Sequence, residues 1–288
     1  MTRVSFEHVA ILEAKEPMVC LNQMGFLCVP VYFHNGWAKD QNIFLRERLA
    51  KKLLEIELVR LEPKGFRWVV YDGFRSRETQ AAIYEYYYNK FSYEDPGQSL
   101  QSLSEKTQTF VTIPDTISRI PPHTTGGSVD LGLYDLTTGQ LIELGADFDE
   151  FVPAVVTDYF EQSGCSQGIR DLRRFMNDIL ADVGVASDVD EFFHKDFGNQ
   201  KWAAHLNLTV APYGEVISCS LGQKGEVITV YAVDLSTELL HERLTQLTSG
   251  LRLNHPAVIP PSVLPQPRCL FSDSLRAYPH HKRSFPGR

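Results

Sequence analysis

Two short segments place the strongest constraint on how this chain folds. One runs from His123 to Asp130 and contains two consecutive glycines, and the other is Glu191-Phe192-Phe193-His194. Together they contain two imidazoles and two carboxylates, and about 60 residues separate them in the sequence. Side chains of these types act on one chemical group only if they converge, so we expect a fold in which the two segments meet.

The spacing inside each segment allows convergence on a metal ion. His123 and Asp130 are seven residues apart, which in an unbroken strand would send their side chains to opposite faces. A turn at the two glycines lets both side chains aim at one point. Glu191 and His194 share a face in a helical turn but diverge in a strand, unless a bulge or bend intervenes. Two imidazoles, one carboxylate ligand and a second carboxylate as base are the set that a zinc hydrolase needs.

Ordinary structural roles explain the same residues equally simply. A histidine and an aspartate beside a turn are structural more often than not. Glu191 follows Asp188 and Asp190, so it could belong to a solvated acidic run. Spacing by itself leaves both interpretations open.

A third segment, Asp72-Gly73-Phe74-Arg75, follows the β-branched and aromatic run 66–71, which predicts a buried strand. Functional groups are often displayed where a strand ends. A guanidinium there could stabilise the oxyanion that develops when water attacks a carbonyl. Equally, Asp72 could cap the next helix and Arg75 could pair with it, and the residues alone do not decide.

The hydrophobic periodicity indicates an α+β fold. Helices are predicted where apolar residues recur at helical spacing, over 45–61, 77–90 (with Ser76 as N-cap) and 169–180. Strands are predicted over 66–71, 128–136, 141–144, 210–216 and 227–233. Residues 92–122 lack periodicity and are predicted to be mostly loop. We expect a single domain with a small, mainly antiparallel sheet flanked by helices.

Composition excludes several functional classes. The net charge of −8 disfavours a nucleic-acid-binding protein. Charged residues interrupt the first fifteen positions, and no apolar run is long enough to span a bilayer, so we predict a cytoplasmic location without membrane partners. The five cysteines are scattered and form no Cys-x-x-Cys, which argues against both a cysteine zinc site and a disulfide framework.

These segments, in this order, resemble the zinc D-alanyl-D-alanine dipeptidases, the family that includes the vancomycin-resistance dipeptidase, over roughly residues 10–215. The family pattern of His-x-x-Gly, with Asp seven after the His, matches His123 and Asp130. Its Glu-x-x-His segment matches Glu191 and His194. The resemblance implies one Zn²⁺ per chain on His123, Asp130 and His194, with Glu191 as general base.

The resemblance also implies residues that handle the substrate. The family's Asp-Gly-x-Arg segment matches Asp72 to Arg75, which implies that Arg75 stabilises the tetrahedral intermediate. A Gly-x-x-Phe-Asp segment matches Gly145 to Asp149. It implies that Asp149 binds the free amino group of a dipeptide, with Asp72 assisting it or orienting Arg75. We therefore expect a zinc peptidase acting on a small dipeptide, D-Ala-D-Ala first among them.

The chain departs from the glycopeptide-resistance members at two points and extends beyond them. Those members have Ser two residues before the first zinc His, where this chain has Pro121, and usually Trp where it has Phe192 and Phe193. Because phenylalanine keeps an apolar wall but loses the indole donor, we expect a changed pocket rather than a changed metal site. Residues 1–216 are predicted to form the dipeptidase-like domain. Residues 217–288 are predicted to form an extension of unknown role, with a helix around 237–247 and a disordered Pro-rich end after about 254.

Two other functions are compatible with the sequence. A related zinc carboxypeptidase or amidase would keep the fold and the metal but act on another peptide. A non-catalytic binding module would keep the fold alone, and the presence of all three ligands and the base argues against it. The sequence does not reveal the stereochemistry of the substrate or the oligomeric state.

Overall fold

The computed structural model describes residues 6–114 and 120–253. The strands of this part are β1 (Ala10–Ile11), β2 (Met18–Cys20), β3 (Leu27–Cys28), β4 (Phe44–Arg46), β5 (Phe66–Asp72), β6 (Ser128–Asp135), β7 (Gln140–Leu141), β8 (Ala186–Ser187), β9 (His194–Asp196), β10 (Val210–Ala211), β11 (Val216–Leu221) and β12 (Val227–Tyr231). The α-helices are α1 (Val31–His34), α2 (Glu47–Ile56), α3 (Arg77–Glu94), α4 (Leu100–Gln108), α5 (Gln167–Ala181), α6 (Gln200–His205) and α7 (Thr237–Ser249).

The central sheet confirms the predicted α+β class. Its strands follow the order β3-β5-β6-β9-β8, and β7 pairs with the far end of β6. Only the β3–β5 pair is parallel among the described pairings of this sheet. The prediction of a small, mainly antiparallel sheet flanked by helices is therefore confirmed.

The middle strands form because their residues are apolar on both faces. In β5, Trp68, Val69 and Val70 are all fully buried although they alternate between faces, so both sides of the sheet are covered. The Trp68 indole donates a hydrogen bond to the Leu53 carbonyl of α2, at 3.2 Å. This contact fixes α2 against one face of the sheet.

Most predicted helices are confirmed, with shifted ends. The first begins at Glu47 rather than residue 45, because Phe44–Arg46 pairs with β2 as β4. Its last predicted turns, Glu57–Leu61, form a π-helix. Ser76 caps α3 as predicted, accepting a hydrogen bond from the Thr79 amide at 3.3 Å.

The loop prediction for 92–122 was wrong for Leu100–Gln108, which forms α4. This helix begins at a capping serine, Ser99, which accepts from the Ser102 amide at 3.1 Å. Only Leu103 and Thr107 of the helix are buried, so its apolar periodicity is too weak to see in the sequence. The predicted strands 141–144 and 210–216 are also shorter, ending at Leu141 and Ala211 respectively.

Residues beyond 216 pack against the rest of the described chain, since Tyr231 shares a buried apolar cluster with Met18 and Phe44. The predicted helix around 237–247 is confirmed as α7. A buried ion pair ties the start of α3 to the entry of β11, since Arg77 contacts both carboxylate oxygens of Glu215 at 2.8 and 2.9 Å. Arg243 of α7 pairs with Glu78 of α3. The disordered end predicted after 254 lies outside the described residues. Within 6–114 and 120–253, no helix is long and apolar enough to cross a membrane.

Candidate active site

Three adjacent strands place three of the predicted site residues in one row. Asp72 at the end of β5 lies opposite Asp130 of β6, and Asp130 lies opposite His194 at the start of β9. Directly opposed residues of antiparallel strands point to the same face. A bulge between Val70 and Asp72 re-aims the end of β5. All three side chains of the row are buried.

His123 reaches this row from the turn that precedes β6. The segment Pro122–Thr125 forms a 3₁₀ turn that ends at Gly126, whose φ is +70°. This left-handed conformation is strained for residues with a side chain, and it produces the chain reversal predicted from the two glycines. The His123 Nδ1 lies 2.8 Å from the Gly73 carbonyl oxygen and donates to it, so Nε2 faces the row.

The spacing of the three donor groups suits a tetrahedral zinc ion. His123 Nε2 lies 3.0 Å from His194 Nδ1 and 3.4 Å from Asp130 Oδ2. His194 Nδ1 lies 3.2 Å from Asp130 Oδ1. With bonds of roughly 2.0–2.2 Å, neighbouring ligands of tetrahedral zinc lie about 3.3 Å apart. The structure therefore brings together the three residues predicted as ligands at a spacing that the ion requires.

The hydrogen bonds of the two histidines direct a lone pair from each toward the same point. His194 Nε2 donates to Asp196 Oδ1 at 3.0 Å, so in the neutral ring Nδ1 is the acceptor nitrogen. In His123 the donor nitrogen is Nδ1, which donates to the Gly73 carbonyl, so Nε2 is the acceptor. Two lone pairs and a carboxylate this close repel one another unless a cation lies between them. Burial disfavours a charge on His194, but Asp196 and Asp130 raise its pKa well above the ordinary value, so a cation, either a metal ion or a proton on Nδ1, is favoured between these groups. The site is built to favour positive charge.

Asp196 was missed in the sequence and has a clear role behind His194. Its Oδ1 also accepts from Ser128 Oγ and Asn199 Nδ2, each at 2.7 Å. Asp188, His194 and Asp196 form a second convergent group, but there the His194 nitrogen already donates to Asp196, and Asp188 pairs with Lys201. The available signal was spacing, since residues two apart in a strand share a face.

Glu191 begins a turn rather than lying in a helix or a strand, which corresponds to the bend that the sequence left open. The His194 amide donates to the Glu191 carbonyl at 3.1 Å, and this turn leads directly into β9. Glu191 is partly exposed and lines a cavity of about 330 Å³ together with His123, Asp130 and His194. Burial raises the pKa of its carboxyl to about 7, against the opposing effect of His194. A carboxylate with such a pKa is suited to accept a proton near neutral pH.

Arg75 lines the same cavity and is held in one orientation. Its guanidinium donates to Asp72 Oδ2 at 2.8 Å, Gln80 Oε1 at 3.0 Å and Tyr32 Oη at 3.0 Å. It also stacks 4.5 Å from the centre of the Tyr32 ring. The ion pair with Asp72 therefore exists, but Ser76 rather than Asp72 caps the following helix. Asp72 orients the guanidinium at the edge of the metal-site row.

Asp149 lines the cavity in an uncommon backbone conformation, with φ of +59°. A non-glycine residue in this region costs energy and is worth examining as a functional position. Its side chain is partly exposed. Burial raises the pKa of its carboxyl to about 6, while Arg75 opposes this shift.

Arg173, on α5, holds the segment that carries Asp149 and was not foreseen. Its guanidinium donates to the carbonyl oxygens of Leu144 at 2.9 Å, Ala154 at 2.7 Å and Val156 at 2.9 Å. It also lies 3.8 Å from the ring centre of Phe192, within the Glu-x-x-His segment. One side chain thus joins the Asp149 loop to the turn that carries Glu191.

Comparisons with known proteins agree with this geometry. The model of the Peptidase_M15 family, described as D-ala-D-ala dipeptidase, matches residues 35–211, more than half of the chain. A D-alanyl-D-alanine dipeptidase of Synechocystis sp. is 24% identical over 236 residues, which cover 72% of this chain and 95% of the relative.

Solved structures show weaker likeness. VanYB in complex with D-alanine-D-alanine has a TM-score of 0.36 at 14% identity, covering 59% of this chain and 81% of that one. The LdcB LD-carboxypeptidase has a TM-score of 0.34 at 16% identity, covering 58% and 66%. Because a TM-score under 0.5 does not establish a relationship, the family of this chain is shown by the match to the family model. The chain belongs to the Peptidase_M15, D-Ala-D-Ala dipeptidase family, and is a zinc-dependent peptidase.

Proposed function

We propose that this protein is a dipeptidase that hydrolyses a small dipeptide with a free amino end, with D-Ala-D-Ala as the first candidate. One observation carries the proposal: Glu191, Arg75 and Asp149 line the same cavity as the cluster of two histidines and Asp130. The proposed base Glu191, the Arg75 guanidinium and the Asp149 carboxylate thus surround a single cavity. A binding module would not need all three around a metal site.

The metal would be held by His123, Asp130 and His194, whose donor atoms have the spacing described above. When bound, zinc polarises the scissile carbonyl and acidifies a water molecule. Asp196 fixes the tautomer and the ring orientation of His194, as partners of metal-binding histidines do elsewhere.

The chain's own groups supply the proton transfer and the electrostatics. Glu191 accepts a proton from the attacking water and passes it to the leaving amine. Arg75 donates hydrogen bonds to the oxyanion that develops on the scissile carbonyl. Asp149 accepts hydrogen bonds from the ammonium group of the substrate. Because an ammonium prefers a charged partner, this contact selects peptides whose amino end is free.

The test is the release of free D-alanine from D-Ala-D-Ala by purified, zinc-loaded protein. Glu191→Gln keeps the shape of the base and removes its proton affinity, so we expect turnover to fall about 10²- to 10⁴-fold. Asp190→Asn is the matched control, because Asp190 is an exposed member of the same acidic run and lines the same cavity, so it separates a general loss of acidic charge there from loss of the base. Equal loss in both variants would assign Glu191 to that run and refute its role as base.

The same assay separates a dipeptidase from a carboxypeptidase. N-acetyl-D-Ala-D-Ala lacks the ammonium that Asp149 binds, so we expect it to be hydrolysed far more slowly than D-Ala-D-Ala. Comparable rates on both would instead favour a carboxypeptidase acting on longer peptides. The cytoplasmic location stays a prediction, which cell fractionation tests.

A further inference from the structure

One wall of the cavity is aromatic and serves no step of the proposed reaction. Tyr87, Phe110 and Phe151 all line the cavity that contains the metal-site histidines. The Phe151 ring lies 4.7 Å from the Tyr87 ring and 4.5 Å from the Phe110 ring, at steep angles of 84° and 64°. These edge-to-face contacts are a favourable arrangement for aromatic pairs. The three rings, which we call the aromatic wall, therefore support one another.

The aromatic wall remains partly open to solvent. Phe110 and Phe151 are 42% and 40% exposed. Single exposed apolar residues are ordinary on protein surfaces, but contiguous ones beside a concave site indicate a ligand surface. Pockets that bind small molecules are lined mainly by such side chains together with a few polar groups. The two methyl groups of D-Ala-D-Ala would leave much of this surface uncovered.

The hydroxyl of Tyr87 gives a second, independent indication of a ligand. Tyr87 is only 1% exposed, and in the described part of the chain its hydroxyl has no hydrogen-bond partner. An unpaired buried hydroxyl destabilises a fold because the group loses its hydrogen bonds to water without gaining others. Because Tyr87 lines the cavity, a polar backbone atom of a bound dipeptide, or water held beside it, rather than the first side chain would satisfy this group.

The position of the aromatic wall relative to Asp149 identifies which part of a dipeptide it meets. Phe151 follows Asp149 by two residues. Tyr87 and Asp149 line the same cavity, and the charge of Asp149 adds to the burial that raises the pKa of Tyr87. In a dipeptide the first side chain and the ammonium group share one α-carbon. An ammonium held by Asp149 therefore places the first side chain beside the aromatic wall.

We propose that Tyr87, Phe110 and Phe151 form a subsite for the side chain of the amino-terminal residue of the substrate, and that this side chain is large and apolar or aromatic. The inference depends on the proposed function, in which Asp149 binds the ammonium group. It extends that function by naming the substrate class: dipeptides with a bulky first residue.

The experiment compares kcat/KM for D-Ala-D-Ala, D-Leu-D-Ala and D-Phe-D-Ala, and for the same peptides with an L first residue. We expect the wild type to prefer a bulky first residue by at least about tenfold, and Phe151→Ala to reduce this preference by about 10- to 100-fold. Phe151→Leu keeps an apolar side chain of similar volume and should retain part of the preference for a bulky first residue. Tyr93→Ala is the control, because Tyr93 is a 46% exposed aromatic residue of α3 outside the cavity lining, and we expect it to leave the preference unchanged.

A binding measurement distinguishes failure of the subsite from failure of the peptidase proposal. Calorimetric titration of zinc-loaded Glu191→Gln reports affinity for intact dipeptides without turnover. Tighter binding of D-Phe-D-Ala than of D-Ala-D-Ala, lost when Phe151→Ala is added, supports the subsite whether or not either peptide is cleaved. Hydrolysis of D-Ala-D-Ala with no preference for bulky residues overturns the subsite alone. Absence of both binding and hydrolysis for every dipeptide overturns both proposals.

Discussion

Replacing Asp196 with asparagine tests how this protein prepares His194 for a metal. Three donors converge on Asp196 Oδ1: His194 Nε2, Ser128 Oγ and Asn199 Nδ2. Burial opposes ionisation of this carboxyl, but His194 and the other donors lower its pKa below the ordinary value, so it is charged at neutral pH. Asparagine offers an acceptor oxygen of the same shape, so the substitution removes charge and keeps geometry.

The size of the effect follows from the hydrogen bond to His194. Bonds to a charged partner contribute about 1.5–3 kcal/mol, and neutral ones about 0.5–1.5 kcal/mol. Asp196→Asn replaces the charged partner of His194 with a neutral one. The hydrogen bond then loses about 1–1.5 kcal/mol, which weakens zinc binding about tenfold. Asp196→Ala also removes the contact that fixes the imidazole, and its effect should approach the roughly 100-fold upper end seen when such partners are lost.

The assay is competition for zinc between the protein and a chromophoric chelator. Asp182→Asn is the control, because Asp182 is an exposed carboxylate that pairs with Arg60 at the surface. Circular dichroism and thermal unfolding of the metal-free variants confirm that each is folded. If folded Asp196→Asn and Asp196→Ala bind zinc as tightly as the wild type, the assigned role of Asp196 is wrong.

Three further predictions concern other parts of the site. Lysine in place of Arg173 cannot donate to all three carbonyls through which Arg173 holds the Asp149 loop. For Arg173→Lys we therefore expect KM for the dipeptide to rise about tenfold at unchanged zinc content, and an unchanged KM would contradict this role of Arg173. Arg77→Met leaves Glu215 buried without its partner, so urea denaturation should show a free energy of unfolding lower by about 3–5 kcal/mol. Arg60→Met, at an exposed ion pair, should lower it by less than about 1 kcal/mol. Equal losses in the two variants would mean that the buried ion pair contributes no more than the exposed one. Glu191 works deprotonated, burial raises its pKa to about 7 and a bound cation lowers it, so kcat/KM should fall as pH decreases through a midpoint between the ordinary pKa of a glutamate and about 7. Glu191→Asp should shift this midpoint, and an acidic limb identical in Glu191→Asp and in the wild type would point to another base.

Short motifs in the sequence indicate which residues converge at the candidate site. The two glycines after His123 require a reversal, and the sheet register then aligns Asp130 with His194. The β-branched run that forms β5 was also recognisable, because a strand buried on both faces has a continuous apolar pattern.

Other features depend on tertiary contacts that no local pattern records. The turn at Glu191 is neither helix nor strand, so periodicity could not place its side chain. Arg173 looks like an ordinary charged residue of an amphipathic helix, yet it is 3% exposed and bonds three carbonyls of a distant segment. The aromatic wall joins α3 to residues near 110 and 151, which only the folded chain brings together.

Anomalous diffraction at the zinc edge from crystals of zinc-loaded Glu191→Gln tests the central claim most directly. The account predicts one zinc ion per chain, bonded at about 2.0–2.2 Å to His123 Nε2, His194 Nδ1 and the Asp130 carboxylate. A zinc ion bound instead by Asp188, Asp196 and the other nitrogen of His194, or the absence of a zinc ion at either group, would contradict it.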